Sequence, residues 1–163
     1  MVPIRKQRQT PFFYSVVNPI FRFLVLRFGL GTGGDQDFLR ILRVRGRKSG
    51  RTYELPVRIA IRDGQRYLMS MLGESQWARN LRAAGEAKLL AGRNVESVRA
   101  DEIVGEEKAA FLTWYCQHPE FAQRARYALK ADTDQLTPAE IERLCRLWPV
   151  FRLEKEKTND SHQ

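Results

Sequence analysis

The rhythm of apolar positions changes at Phe38. From there hydrophobic side chains mark a first strand at Leu39, Ile41 and then Leu42, Val44, and they alternate cleanly with polar ones in a second at Leu55, Val57, Ile59, Ile61. Asp63-Gly64 follows, a pair that tolerates positive φ at both positions, and predicts a tight hairpin into a third strand, "RYLMSML". Strands two and three are therefore expected as antiparallel neighbours. "SQWARNLRAAG" switches to helical spacing, with Ser75 as N-cap, Trp77, Leu81 and Ala84 on one face, and Gly85 as the stop. Two more strands, "AKLLAG" and "VESVRADEIV", precede a helix-prone run from Gly105 to about Leu129, acidic in its first turn and broken at Pro119. Thr137-Pro138-Ala139-Glu140 reads as a capping box opening a helix to about Leu147, and "PVFRLE" as a last strand.

Five or six short, mostly antiparallel strands with helices inserted between them predict an α+β chain, a small β-barrel with helical decoration, and exclude a parallel α/β sheet. The 163 residues suffice for one core and not for two. The expected organisation is an N-terminal basic, amphipathic helix with a glycine-rich connection over 1–37, the barrel over 38–153, and a polar tail over 154–163.

Residues 12–30, "FFYSVVNPIFRFLVLRFGL", are the most apolar stretch. Asn18, Pro19, Arg22 and Arg27 interrupt it, and a spanning helix needs about 20 uninterrupted apolar residues, so a transmembrane reading is excluded. Phe21, Leu24, Val25 and Phe28 recur at helical spacing beside Arg22 and the Arg5, Lys6, Arg8 cluster. Such a helix either packs on the barrel or makes a peripheral contact with lipid, and both readings stand. "GLGTGG" at 29–34 formally matches a dinucleotide pattern, but that motif works only between a strand and a helix, and here it reads as a flexible connection.

Charge narrows the partner. A formal +9 and a pI near 10.0 favour a phosphorylated cofactor, an acidic membrane surface or nucleic acid. Two cysteines and two histidines provide neither a disulfide framework nor a structural zinc site, and the expectation is a cytoplasmic chain without metal.

The cations concentrate in "VRGRKSGRTYELPV", residues 44–57. The glycines of "GRKSG" stand one residue too close for a Walker loop, and Arg51-Thr52 replaces its Lys-Ser/Thr pair. The loop can still hold phosphate: glycines let backbone N–H groups approach an oxyanion, Ser49 adds a donor, arginine offers a fork and lysine a point charge. The competing reading is an exposed basic hairpin turn. A second constellation, "SMLGESQWARNLRAAG", joins a permissive Gly73 to a donor-rich helix start, with Trp77 and Asn80 on one helix face. Against it stands Trp77 as plain core.

Taken in order, "GRKSGR", "ELPV", the hairpin and "GESQWARNLRAAG" resemble the deazaflavin-dependent nitroreductase and quinone reductase family over about residues 38–104, extending to "PVFRLE". The resemblance implies an FMN-binding-like split β-barrel that holds coenzyme F420. It implies the phosphate and acidic tail at Arg47, Lys48 and Ser49, and a cleft lined by Tyr53, Leu55, Pro56, Val57 and Arg58 and completed by Ser70, Met71, Trp77, Arg79 and Asn80. It further implies hydride transfer to a quinone-like, nitro or other electron-poor acceptor, chemistry that the cofactor carries and that needs no protein nucleophile.

The chain departs from the family where nitroreducing relatives carry a tyrosine-rich patch. The aligned "CQHPEFAQRARY" has His118, Phe121 and Arg124, with Tyr115 and Tyr127 nearby. His118, Tyr115 and Tyr127 are the candidates for acting on the acceptor, His118 as a proton donor. The alternative for His118 is a surface residue ending a helix before proline. Related barrels bind lipid or fatty acid, FMN or haem, so a differently loaded or non-catalytic barrel is the second reading, with FMN as the alternative cofactor. A nucleic-acid-binding module explains the charge but has no recognisable motif.

Overall fold

The computed structural model describes residues 37–156. The expected helix within 12–30 and the glycine-rich connection at 29–34 lie outside the described residues. Six strands, β1 (Asp37–Arg45), β2 (Thr52–Arg62), β3 (Gln65–Met69), β4 (Glu86–Ala91), β5 (Asn94–Glu102) and β6 (Val150–Lys155), form a closed barrel in the order β1-β2-β3-β6-β5-β4. Every neighbouring pair is antiparallel, and β4 returns to β1 through Ile41 opposite Leu90 to close the ring. The helix α1 (Gln76–Ala84) is inserted between β3 and β4. Between β5 and β6 come α2 (Gly105–Gln117), α3 (Ala122–Arg124), which widens into a π turn at Ala125–Leu129, and α4 (Pro138–Leu147). This is the split barrel expected from the sequence. Its β6 continues through Lys155, opposite Val98.

Local chemistry sets the boundaries. Asp63 and Gly64 take φ of 52° and 75°, the paired positive values that a two-residue hairpin requires. Ser75 Oγ caps α1 by accepting from the Ala78 N–H at 3.3 Å, and Gly85, left-handed at φ 68°, returns its N–H to Leu81 O at 2.8 Å. α2 ends at Gln117 because His118, preceding Pro119, is extended. The capping box at α4 is only half formed. Thr137 Oγ1 accepts from the Glu140 N–H at 3.2 Å, but the Glu140 carboxylate turns to Arg143 and the Asp132 N–H instead of reaching back to the cap. A charged, bidentate partner outcompetes the neutral backbone donor.

Strand alternation gives the sheet two apolar faces. Val57 and Ile59 of β2 point into the barrel with Leu42, Leu68, Val98 and Phe151, and Ala78 and Leu81 of α1 pack into the same core. A second core joins Ala60, Tyr67, Met69 and Val150 to Phe111, Leu112, Phe121 and Leu144 of the later helices. Aromatic contacts dominate there: Phe111 lies 4.6 Å from the Tyr67 ring, and Tyr115 stacks on Phe121 at 4.7 Å. β2 pairs with β1 from Thr52 to Ala60 but with β3 only from Ile59 onward, so among the described residues its first half runs past the end of β3. Among the described residues no helix is long and apolar enough to cross a membrane.

Arg82 of α1 ties this helix to the barrel by bonding both Glu102 and Glu74, the latter at 2.7 Å. Its hydrogen bond holds the Glu74 carboxyl below the usual carboxylate range. A depressed carboxyl stabilises the fold above its ordinary pKa of 4.5, and that stability is lost as pH falls through the lowered folded value. Glu74→Gln is therefore expected to lose less melting temperature than the wild type on acidification below about pH 4.5, with Glu140, held low by Arg143, leaving a residual slope. Parallel acid melting curves for the two proteins would overturn this.

Candidate functional site

The β1–β2 connection is a tight basic loop. Gly46 N–H donates to Arg51 O at 2.8 Å, Gly50 N–H donates to Gly46 O at 2.9 Å, and the Arg51 N–H donates to Ser49 Oγ at 3.3 Å. Ser49 Oγ also meets Tyr53 Oη at 3.2 Å. Gly46 has no room for a side chain, since a Cβ there would stand 2.5 Å from Tyr53 Cε2 and 3.2 Å from Arg51 O. Gly46→Ala should displace Tyr53 and open the loop, seen as a lower melting temperature and faster proteolysis between Arg45 and Tyr53; unchanged proteolysis would count against this packing.

The loop is docked on α1. Arg47 donates to Asn80 Oδ1 from its backbone N at 3.3 Å and from Nη1 at 2.7 Å, while Nη2 donates to Gln76 Oε1 at 3.1 Å. Two cavities meet at this junction, and Gly46, Arg47, Lys48 and Ser49 border both. The first, about 540 Å³, runs between α1 and the start of β2, with Tyr53, Leu55 and Trp77 as its apolar surfaces. The second, about 970 Å³, is polar and carries Arg43, Arg45 and Lys88, against Glu86 and Glu156. Arg43 is already paired with Glu54 at 2.6 Å. Lys48 is exposed and makes no hydrogen bond or ion pair among the described residues.

Seven of the residues picked out from the sequence therefore border one cavity: Arg47, Lys48, Ser49, Tyr53, Leu55, Trp77 and Asn80. The others lie elsewhere. Val57 is buried in the barrel core, and Pro56 sits in β2 opposite Ile41. Ser70 is buried with its hydroxyl bonded to Gly73 O and Ser75 Oγ, so it builds the start of α1. Arg79 stands by Glu74 at 3.6 Å. Arg58 and Met71 border a separate void of about 10 Å³ with Tyr115 and Phe121. Tyr115 is buried with its hydroxyl 4.0 Å from Met71 Sδ, and His118 rests its ring on Trp114 and Phe121. Tyr127 is 90% exposed. None of these three borders the 540 Å³ cavity.

Sequence reasoning missed Gln76, Arg43 and Lys88. Gln76 had a signal, since it precedes Asn80 by one helical turn and shares its face. Lys88 had one only through register, because β4 places it opposite Arg43.

The profile of the family described as F420H(2)-dependent quinone reductase matches residues 27–139, well over half of the chain. The chain belongs to that family. No curated protein matches it. Among solved structures, the chain is similar to Atu2129 of Agrobacterium tumefaciens, a protein of unknown function, at 19% identity and a TM-score of 0.46, over 73% of this chain and 48% of that one. It thus spans about half the length of that relative. It is also similar to an F420-H2 dependent reductase, FDR-A, at 22% identity and a TM-score of 0.42, over 71% of this chain and 93% of that one. A putative 5-nitroimidazole antibiotic resistance protein from Bacteroides thetaiotaomicron is 13% identical with a TM-score of 0.45, over 73% of each chain.

The residues of the cleft suit the coenzyme that gives this family its name. A flat tricyclic ring needs a slot with apolar faces and edge partners, and Trp77, Leu55 and the backbone of β2 where it runs past β3 offer both. A phosphate needs an available cation and backbone donors, which the Lys48 ammonium and the Lys48 and Ser49 N–H groups supply.

Proposed function

We propose that this chain binds reduced coenzyme F420 in the cleft between the Gly46–Arg51 loop and α1 and passes a hydride to an electron-poor, quinone-like acceptor. The observation that carries the reading is the division of the cleft into an aromatic lobe and a cationic lobe, with Lys48 and Ser49 on the border between them. Family membership supports it independently.

In this reading the Lys48 ammonium, the Ser49 hydroxyl and the backbone N–H groups of Lys48 and Ser49 hold the phosphate, while Arg45 and Lys88 attract the carboxylates of the tail. Trp77 and Leu55 exclude water from the ring, and Tyr53, held by Ser49, fixes the wall between the lobes. When bound, the reduced deazaflavin supplies the hydride. The protein positions the reactants and shapes the electrostatics around them. Tyr115, His118 and Tyr127 are assigned to the acceptor side. His118 Nδ1 accepts from the Glu120 N–H at 3.3 Å, which leaves Nε2 as the nitrogen of the neutral ring that carries a proton. The enzyme works in the cytoplasm, and residues 12–30 offer a peripheral membrane contact through which lipid-soluble acceptors reach it.

The test is a fluorescence titration with coenzyme F420, followed by oxidation of the reduced coenzyme with and without a short-chain benzoquinone. Saturable quenching and quinone-dependent turnover are expected. Quenching by FMN and none by F420, or copurified lipid with no turnover, would replace this reading by that of a differently loaded barrel.

A further inference from the structure

We infer that Arg47, which the composition of the loop presents as a phosphate ligand, is a positioning residue: together with Asn80 and Gln76 it latches the Gly46–Arg51 loop to α1 and sets where Lys48 stands. The inference rests on the reading of the cleft as the coenzyme site and deepens it, by dividing the labour between adjacent cations.

The bonding of Arg47 carries the argument. Its Nη1 and Nη2 are directed to two amide oxygens one helical turn apart on α1, and its own backbone N–H shares the first of them. An amide oxygen has two lone pairs, so Arg47 alone fills the acceptor capacity of Asn80 Oδ1. Asn80 is only 6% exposed, and swinging the guanidinium out would take the shorter, charged donor from its buried oxygen and leave the 3.3 Å backbone bond alone, a cost that holds the side chain on α1. Lys48, one residue on, has none of these bonds. A planar fork suits a fixed two-point bridge, and a compact ammonium on a flexible stem suits a phosphate whose orientation is set elsewhere.

The chemistry of the acceptors is informative too. Both are neutral amides. A carboxylate at either position would hold the fork more tightly, but it would also cancel a positive charge at the junction of the two cavities. Asn80 and Gln76 hold Arg47 in place and leave its charge in the field that an anionic ligand meets.

Two readouts separate this role from direct ligation. The first needs no ligand: amide hydrogen exchange of residues 46–51 in the free protein. Asn80→Ala is expected to speed exchange at the Arg47 N–H about tenfold or more, whereas Lys48→Ala leaves it slow. The second is the salt dependence of F420 affinity. Asn80→Ala weakens binding about tenfold with the wild-type salt dependence, and Lys48→Ala weakens it while flattening that dependence. Asn80→Asp keeps the slow exchange yet weakens binding, because the latch survives and the local charge falls. Should Asn80→Ala fail to fold, Arg47→Met, a change on an exposed loop, gives the same exchange readout.

In a double-mutant cycle, Arg47→Met with Asn80→Ala should bind no more weakly than Arg47→Met alone, once the charge lost in both is shared. Unchanged exchange in the Asn80 and Arg47 variants overturns the latch even where F420 binds. Additive losses in this cycle overturn it in favour of direct ligation. If wild type does not bind F420 at all, the functional reading falls and the exchange experiment still decides on the latch.

Discussion

Lys48→Ala weakens binding of coenzyme F420 about tenfold or more, with no loss of melting temperature, when the affinity is read by fluorescence titration at low salt. A charge-assisted hydrogen bond contributes about 1.5 kcal/mol or more, and about 1.4 kcal/mol is a factor of ten in affinity. The fold loses nothing because the exposed ammonium has no partner among the described residues to leave stranded. The control is Arg93→Ala, another exposed cation, on the β4–β5 turn and thus at the opposite end of β1 from the loop. Non-specific attraction to a protein of net charge +9 would fall equally in both variants, and equal losses would remove Lys48 from the site.

Phe111→Ala carries the largest expected loss of stability, about 3–5 kcal/mol by chemical denaturation, typical of a buried phenylalanine truncated to alanine. Phe111 is 1% exposed and meets the rings of Tyr67, Trp114 and Tyr115 at 4.6, 5.7 and 5.9 Å. Tyr67 belongs to β3, so the cavity would open at the seam between α2 and the barrel, where neighbours on both sides are already fixed by other contacts. Phe111→Leu should cost much less. A loss under about 1 kcal/mol for the alanine variant would mean that the helical layer is not bonded to the barrel as a unit.

How much of this was legible in the chain depends on whether the cause was local. The Asp63-Gly64 hairpin and both ends of α1 could be read because each rests on the conformational preference of one or two residues. The barrel itself was expected, but which strands close it could not be read, since Ile41 meets Leu90 through a contact that no local pattern announces. The π turn at Ala125–Leu129 has the same origin, for "ARYAL" carries no breaker and its wide turn goes with the burial of Ala125 and Leu129. At α4, Thr137 fulfilled its role and Glu140 did not, because Arg143 on the next turn was the stronger partner.

The site divides in the same way. Clustered charge made the basic loop visible, and i, i+3 spacing made the Trp77–Asn80 face visible. Side-chain direction was not. Val57 and Leu55 are both apolar positions of β2, yet one is buried in the barrel and the other borders the cleft. Ser70 reads as a polar strand-end residue until its hydroxyl is seen capping a loop. Arg47 and Lys48 look interchangeable as letters, and only the position of Asn80 in space separates them.

That β2 runs past the end of β3 among the described residues has a further consequence for the protein when no ligand covers the overhang. Exposed backbone donors and acceptors invite a strand from a neighbouring molecule, the usual first step of sheet-to-sheet aggregation. Pro56 interrupts that stretch with a residue that has no N–H to share, and Arg58 adds charge at its end, two means by which natural sheets discourage such recruitment. The opening that admits a small planar guest is thereby a poor template for a foreign chain.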